Sequence, residues 1–218
     1  MQKYPKKTMA EKNTKQCILD AAERLFALHG YHHTSLRKIT GEANVNLAAV
    51  NYHFGSKEAL LKAIFEYHLT PLNQTRQENL KAVREQALQQ GKVPQVADII
   101  RAFIEPTLRY RDSKSGSNYF IALVGRAMAE TDDTVRNLFL HQVKPLGMQL
   151  FEILAEALPD LQPERLYWRL QFTVGVISHA MRINGKFQMV PENVHPEQDA
   201  DSLIEQLVPY LTAGLEAP

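Results

Sequence analysis

Residues 35–57 read Ser35-Leu36-Arg37-Lys38-Ile39-Thr40-Gly41-Glu42-Ala43-Asn44-Val45-Asn46-Leu47-Ala48-Ala49-Val50-Asn51-Tyr52-His53-Phe54-Gly55-Ser56-Lys57. The punctuation of this stretch decides its structure. Thr34 or Ser35 supplies the side-chain oxygen that caps a helix, whose inward positions are Leu36, Ile39 and Ala43. Asn44-Val45-Asn46 is a turn, and Asn46 caps a short helix from Leu47 to His53. Gly55 ends that helix, and Ser56 caps the next. Two short helices across a tight turn form a helix-turn-helix pattern.

The pattern continues outward in both directions. Residues 1–12 are polar and Lys-rich and read as a basic flexible arm. A helical period opens at Thr14, with Ile18, Ala21, Ala22, Leu25 and Phe26 on one face and Gly30 at its end. After Ser56 come Ala59, Leu60, Ala63, Ile64 and Leu69, closed by Pro71. Residues 72–90 are strongly polar. Residues 95–110 carry Val96, Ile99, Ile100, Phe103, Ile104 and Leu108, with Pro106 expected to kink or shorten the helix. Further helices are expected over 118–130, 132–157 (containing Pro145), 163–183 (opened by Pro163) and 199–216. Residues 111–117 and 186–198 read as loops. No strand alternation and no repeat is present, so the expected class is all-α with nine or ten helices. The expected organisation is an arm over 1–12, a helix-turn-helix domain over 13–56 and a larger helical domain over 57–218.

Composition narrows the function. Of 218 residues, 44% are hydrophobic, enough for a sizeable core without metal or disulfide support. Cys17 is the single cysteine, which excludes a disulfide within the chain. No signal-peptide pattern and no long apolar run appears, so a soluble, cytoplasmic protein without membrane association is expected. Net charge is only +1, but it is unevenly placed. Residues 1–60 carry nine Lys/Arg against five acids, and residues 61–218 carry 16 against 19. A basic head on an acidic body suggests a phosphate-facing part and a part with another task. The chain has no HExxH, CxxC, GxSxG or Gly-rich phosphate loop, so it is not expected to be an enzyme or to carry a metal or cofactor. A helical adaptor is the other alternative; salt-dependent binding of duplex DNA separates both from a DNA-binding regulator.

The second helix of a helix-turn-helix unit enters the major groove of duplex DNA. Val45, Val50 and Phe54 can point back into the domain. Asn46, Leu47, Ala48, Ala49, Asn51, Tyr52 and His53 then face the groove. Small side chains let the backbone approach the bases, Leu47 and Ala49 suit thymine methyl groups, and Asn51 can hydrogen-bond a base or phosphate. Tyr52, His53 and Lys57 are candidate phosphate donors, with Thr34, Ser35 and Arg37 as a second clamp.

The run Asn51-Tyr52-His53-Phe54-Gly55-Ser56-Lys57-Glu58-Ala59-Leu60, with Ile18-Leu19-Asp20-Ala21-Ala22-Glu23-Arg24-Leu25-Phe26 and Gly30-Tyr31, closely resembles the N-terminal domain of TetR-family regulators. The resemblance runs from about Lys15 to Phe65. It implies a three-helix DNA-binding domain, a linking fourth helix and a ligand-and-dimer domain. It puts phosphate contacts on Tyr52, His53 and Lys57 and base reading on Asn46 to Asn51. Many members have Lys-Gly-Thr where this chain has Leu47-Ala48-Ala49, so no operator sequence carries over. The run Asn46–Lys57, with Leu166–Phe172 and Leu207–Gly214, is similar to a narrower PsrA-like, fatty-acid-responsive branch.

The resemblance implies a homodimer that releases a palindromic operator on binding a hydrophobic effector. A repressor is expected ahead of an activator. A fatty acid or acyl-CoA is the first expectation for the effector, and an unrelated drug or metabolite the second. Expected pocket walls are Phe65, Leu69, Phe103, Ile104, Leu108, Phe120, Leu123, Met128, Phe151 and Phe172, with Arg109, Arg126 and His179 as candidates for an acidic head. Helix 163–183 is apolar around most of its circumference. Leu166, Leu170, Val174, Ile177 and Met181 form one stripe; Trp168, Phe172, Val176 and His179 form another. The first stripe, with Ile204, Leu207, Val208, Leu211 and Leu215, is the expected dimer interface.

Overall fold

The computed structural model describes residues 9–113, 118–129, 133–181, 193 and 197–218. These form helices α1 (Met9–His29), α2 (Leu36–Glu42), α3 (Leu47–Phe54), α4 (Lys57–Gln89), α5 (Val96–Asp112), α6 (Asn118–Ala129), α7 (Asp133–Ala157), α8 (Pro163–Ala180) and α9 (Ala200–Glu216). The described residues contain no strand. Residues 1–8 of the expected arm, residues 114–117 and most of 186–198 lie outside them. The chain divides into two compact units. One comprises residues 1–68 with 122–142, and the other 69–121 with 143–218. Residues 57–68 and 122–142 thus belong with the helix-turn-helix, and the first unit is larger than the segment 13–56.

In the first unit, α1, α2 and α3 pack on one another. Ile18, Ala22, Phe26, Ile39 and Val50 are fully buried there. The caps form as the sequence dictates. Ser35 Oγ accepts from Lys38 N at 3.2 Å, Asn46 Oδ1 from Ala49 N at 2.8 Å, and Ser56 Oγ from Ala59 N at 3.0 Å. Gly55 adopts φ +80°, ψ −50°, open to glycine and strained for other residues. Asn44 takes φ 51°, a left-handed turn conformation that Asn tolerates.

The largest departure from the sequence reading is α4. Pro71 was expected to close a helix begun at Ser56, yet α4 runs 33 residues through it. Proline removes one backbone hydrogen bond and crowds the preceding turn. Continuity of the buried stripe outweighs that cost. Phe65, Leu69, Leu72, Arg76 and Leu80 are all buried, at spacings of 4, 3, 4 and 4 residues. Likewise, α5 continues through Pro106 and α7 through Pro145. At Pro71 and Pro106 packing overrides the local signal, whereas the helix through Pro145 is the one expected over 132–157.

In the second unit, α9 packs along α5 and against α8. Its core comprises, among others, Ile100, Ile104, Leu108, Leu150, Leu154, Leu166, Ile204 and Leu211. Pro163 opens α8, and Asp199 caps α9 by accepting from Ser202 N at 3.0 Å. Arg169 Nη1 donates to Leu215 O at 2.6 Å, tying α8 to the last turn of α9.

Candidate nucleic-acid interface

The α3 sequence separates into two faces. Val50 is fully buried and Phe54 half-buried, anchoring the helix to the first unit. Leu47, Ala48, Asn51 and Tyr52 are exposed, and their one-, three- and four-residue spacings place them on one side. Tyr52 is 72% exposed, far above a packed tyrosine. Ala49 and His53 flank this face, half-buried. Asn46 caps the helix, so its carbonyl oxygen is already engaged. Lys15 of α1 lies 5.8 Å from the Phe54 ring and adds a cation beside the end of α3.

The expected phosphate clamps need redistribution. Thr34 is fully buried, and its hydroxyl donates to Gly30 O at 2.9 Å and Leu25 O at 3.2 Å. It closes the α1–α2 turn, so its hydroxyl is not the expected phosphate donor. Lys57 is half-buried. Its ammonium donates to Tyr31 O at 3.0 Å and Thr34 O at 3.2 Å and sits 4.0 Å above the Tyr31 ring. It therefore clasps the start of α4 to the α1–α2 turn. Ser35 and Arg37 remain exposed, Ser35 as the α2 cap.

Three further contacts organise this unit. His68 Nε2 and Glu23 Oε2 lie 2.6 Å apart, both buried, and join α4 to α1. Arg126 of α6 donates to Ala27 O at 2.9 Å and Leu28 O at 3.3 Å, a cation on the last-turn carbonyls of α1. Arg126, a candidate for an acidic ligand head, is thus a helix cap. Phe65 packs against Phe139 with the rings tilted at 59° and centroids 5.8 Å apart.

The expected pocket residues divide between the units. Phe65 and Leu123 are buried in the first. Leu69, Ile104, Leu108 and Phe120 are buried in the second, with Phe103 and Phe151 half-buried. The Met128 side chain lies outside what is described. Phe172 departs from the expectation: it is 66% exposed on α8 and stacks on Trp168. A cleft of about 460 Å³ between the end of α4 and the start of α5 is bordered by Asn79, Gln86, Lys92, Asp98 and Arg101, and by none of the expected wall residues. Arg109 pairs with Glu105 and Asp201 at the surface, and these carboxylates hold its pKa above the usual value. His179 is exposed.

The expected dimer stripe also needs correction. Leu166, Ile177, Ile204, Val208, Leu211 and Leu215 are buried within the protomer's own core. Leu170, Met181 and Leu207 are half-buried against that core, and only Val174 is exposed. The outward face of α8 is the other one, carrying Trp168 and Phe172. The sequence showed two apolar stripes and could not say which faced inward.

Two family descriptions match. Residues 18–64 match "Bacterial regulatory proteins, tetR family", and residues 101–214, half of the chain, match "Tetracyclin repressor-like, C-terminal domain". The chain belongs to the TetR family. That family comprises regulators of transcription, not enzymes. Among curated TetR relatives, the repressor AcnR of Corynebacterium efficiens is 34% identical over 67 residues, 31% of this chain and 36% of AcnR. The uncharacterised regulator TtgW of Pseudomonas putida is 38% identical over 68 residues, 31% of this chain and 51% of TtgW. The aligned stretch thus spans between about a third and a half of these relatives. Solved structures share the fold over nearly the whole chain. A TetR-family regulator from Bordetella parapertussis has a TM-score of 0.65 at 17% identity, covering 92% of this chain and 94% of that one. FadR of Bacillus subtilis, solved with stearoyl-CoA, has a TM-score of 0.64 at 18% identity, covering 91% and 98%. Among the described residues of this TetR chain, no helix is long and apolar enough to cross a membrane.

Proposed function

We propose that this chain is a dimeric DNA-binding repressor whose second unit takes an apolar effector. The observation that carries the reading is the division of α3: one face anchored by Val50, the other open with Leu47, Ala48, Asn51 and Tyr52. One short helix contacts too few base pairs for a specific site. Two copies reading half-sites about 34–36 Å apart supply the rest. Tyr52, His53, Ser35 and Arg37 contact phosphates in this reading, and Lys57 orients the start of α4.

The second copy docks on α8 and α9. Trp168, Phe172 and Tyr167 on α8 and Tyr210 on α9 are exposed, a large apolar surface for one protomer to leave in water. Gly175 and Gly214 lie on the same helices, and an added Cβ at either meets nothing within 4 Å in the protomer. Small residues on an exposed apolar face let a second helix approach closely.

The effector acts by population shift: it favours an arrangement of the two reading heads that mismatches the operator. Because Glu23 and His68 join α4 to α1, a displacement of α4 is felt by the reading head. The PsrA-like segments and the FadR structure solved with stearoyl-CoA support a long-chain acyl effector. The cytoplasm is the compartment where such a regulator acts.

The reading is tested by titrating the purified protein with duplex DNA at rising salt. With about 6–10 phosphate contacts per dimer, affinity falls on the order of 10³- to 10⁵-fold between about 50 and 200 mM salt. Binding that is absent at low salt, or indifferent to salt, contradicts it.

A further inference from the structure

The inward stripe of α4 contains one charged residue, Arg76. It lies in the second unit and is only 8% exposed. Its Nε donates to Thr107 Oγ1 at 3.0 Å, one terminal nitrogen to Asn73 Oδ1 at 2.9 Å, and the other also to Thr107 Oγ1. The Phe103 ring lies 5.0 Å from the guanidinium carbon. All of these partners are neutral. Among the described residues, no carboxylate pairs with Arg76.

This arrangement is unusual for a buried charge. Buried cations are normally paired, because removing a charge from water is costly. Burial alone pushes the Arg76 pKa down to about 10, so the group stays charged at neutral pH. Guanidinium carries five N–H donors, and the contacts above account for three. One N–H on each terminal nitrogen remains, and a carboxylate is the acceptor that a guanidinium binds most strongly. On either side along α4 lie Leu72 and Leu80, and on α5 Ile100, Ile104 and Leu108, all buried.

Resting on the reading that the second unit takes an apolar effector, we propose that Arg76 is the anchor for the head of that effector, and that the effector is a free carboxylic acid with an aliphatic tail. The carboxylate takes the counter-ion position, Phe103 swings off the guanidinium, and the tail lies among the α4 and α5 aliphatics. One buried cation matches one negative charge. A thioester offers it no carboxylate and so leaves the buried cation without a counter-ion.

The test compares octanoate, laurate and palmitate, each against its methyl ester, on the full chain by calorimetry and by shift of the unfolding midpoint. At least one acid is expected to bind the unmodified protein about 10- to 100-fold more tightly than its ester. Arg76→Met is expected to erase that preference. Its own unfolding midpoint is expected to hold or rise, since an uncompensated buried charge is removed. If Arg76→Met fails to fold, Arg76→Gln, which keeps a donor toward Thr107, carries the same comparison. Equal binding of acid and ester, a preference that survives loss of Arg76, or no binding by any acid overturns the proposal. Duplex binding is measured on the same preparation. Duplex binding without acid preference leaves the regulator reading standing, and acid preference without duplex binding does the reverse.

Discussion

Replacing Trp168 and Phe172 with glutamate is expected to give a folded monomer that no longer holds operator DNA. Both side chains are more than half exposed in the protomer, and they stack with ring centroids 6.3 Å apart. Their replacement therefore removes little from the protomer's core, and helical circular dichroism is expected to be unchanged. At a two-fold interface each substitution occurs twice. Aromatic anchors in such positions contribute about 2–4 kcal/mol each. Dimer dissociation is then expected to rise by on the order of 10³-fold or more, read by sedimentation or light scattering. Duplex affinity falls with it, since each monomer keeps one half-site. Leu166→Glu is the contrasting variant. Leu166 is 1% exposed inside the core of the second unit, so this change is expected to unfold that unit instead of splitting a dimer. A Trp168/Phe172 variant that remains dimeric and binds DNA normally would remove this face from the interface.

The second large effect is expected at Ala48. It lies on the exposed face of α3, one residue into the helix. Ala48→Glu sets a bulky carboxylate against a phosphate-lined groove and blocks close approach of the backbone. Its effect on folding has the opposite sign, because an acid in the first turn of a helix interacts favourably with the macrodipole by about 0.3–1 kcal/mol. The predicted signature is an unfolding midpoint unchanged or slightly raised, with duplex affinity reduced on the order of 10²- to 10⁴-fold in a dimer. Loss of both stability and binding would mean that Ala48 is packed, and retention of binding would place α3 outside the groove.

The helix-turn-helix was legible because its signals are local. Ser35, Asn46, Ser56, Gly30 and Gly55 fix helix ends through side-chain oxygens and positive φ, and those preferences act within a few residues. Thr34 was misread for the same reason. It is a capping residue type beside another, and only the tertiary fold shows that its hydroxyl turns inward to Leu25 and Gly30. Pro71 reads as a helix end and Pro106 as a kink or early end, yet burial on both sides of each holds the helix together. Arg76 was the costliest omission. The spacing Phe65, Leu69, Leu72, Arg76, Leu80 carries a detectable signal, a lone cation on an apolar period. Taking Pro71 as the end of the helix broke that period before it reached Arg76. Which apolar stripe of α8 faces outward was not legible, because a helix apolar all round gives no sign of which side its own chain covers.

Two copies of α3 reading two half-sites leave a signature that selection from random duplex DNA detects. The purified full chain is incubated with a random library, bound duplexes are recovered and amplified, and the enriched sequence is read together with the number of protomers bound. The expected result is a palindrome with half-site centres about one helical turn apart, or a multiple of it, occupied by an even number of protomers and lost with Ala48→Glu. No enriched sequence, or one enriched equally well by the Ala48→Glu protein, would contradict it.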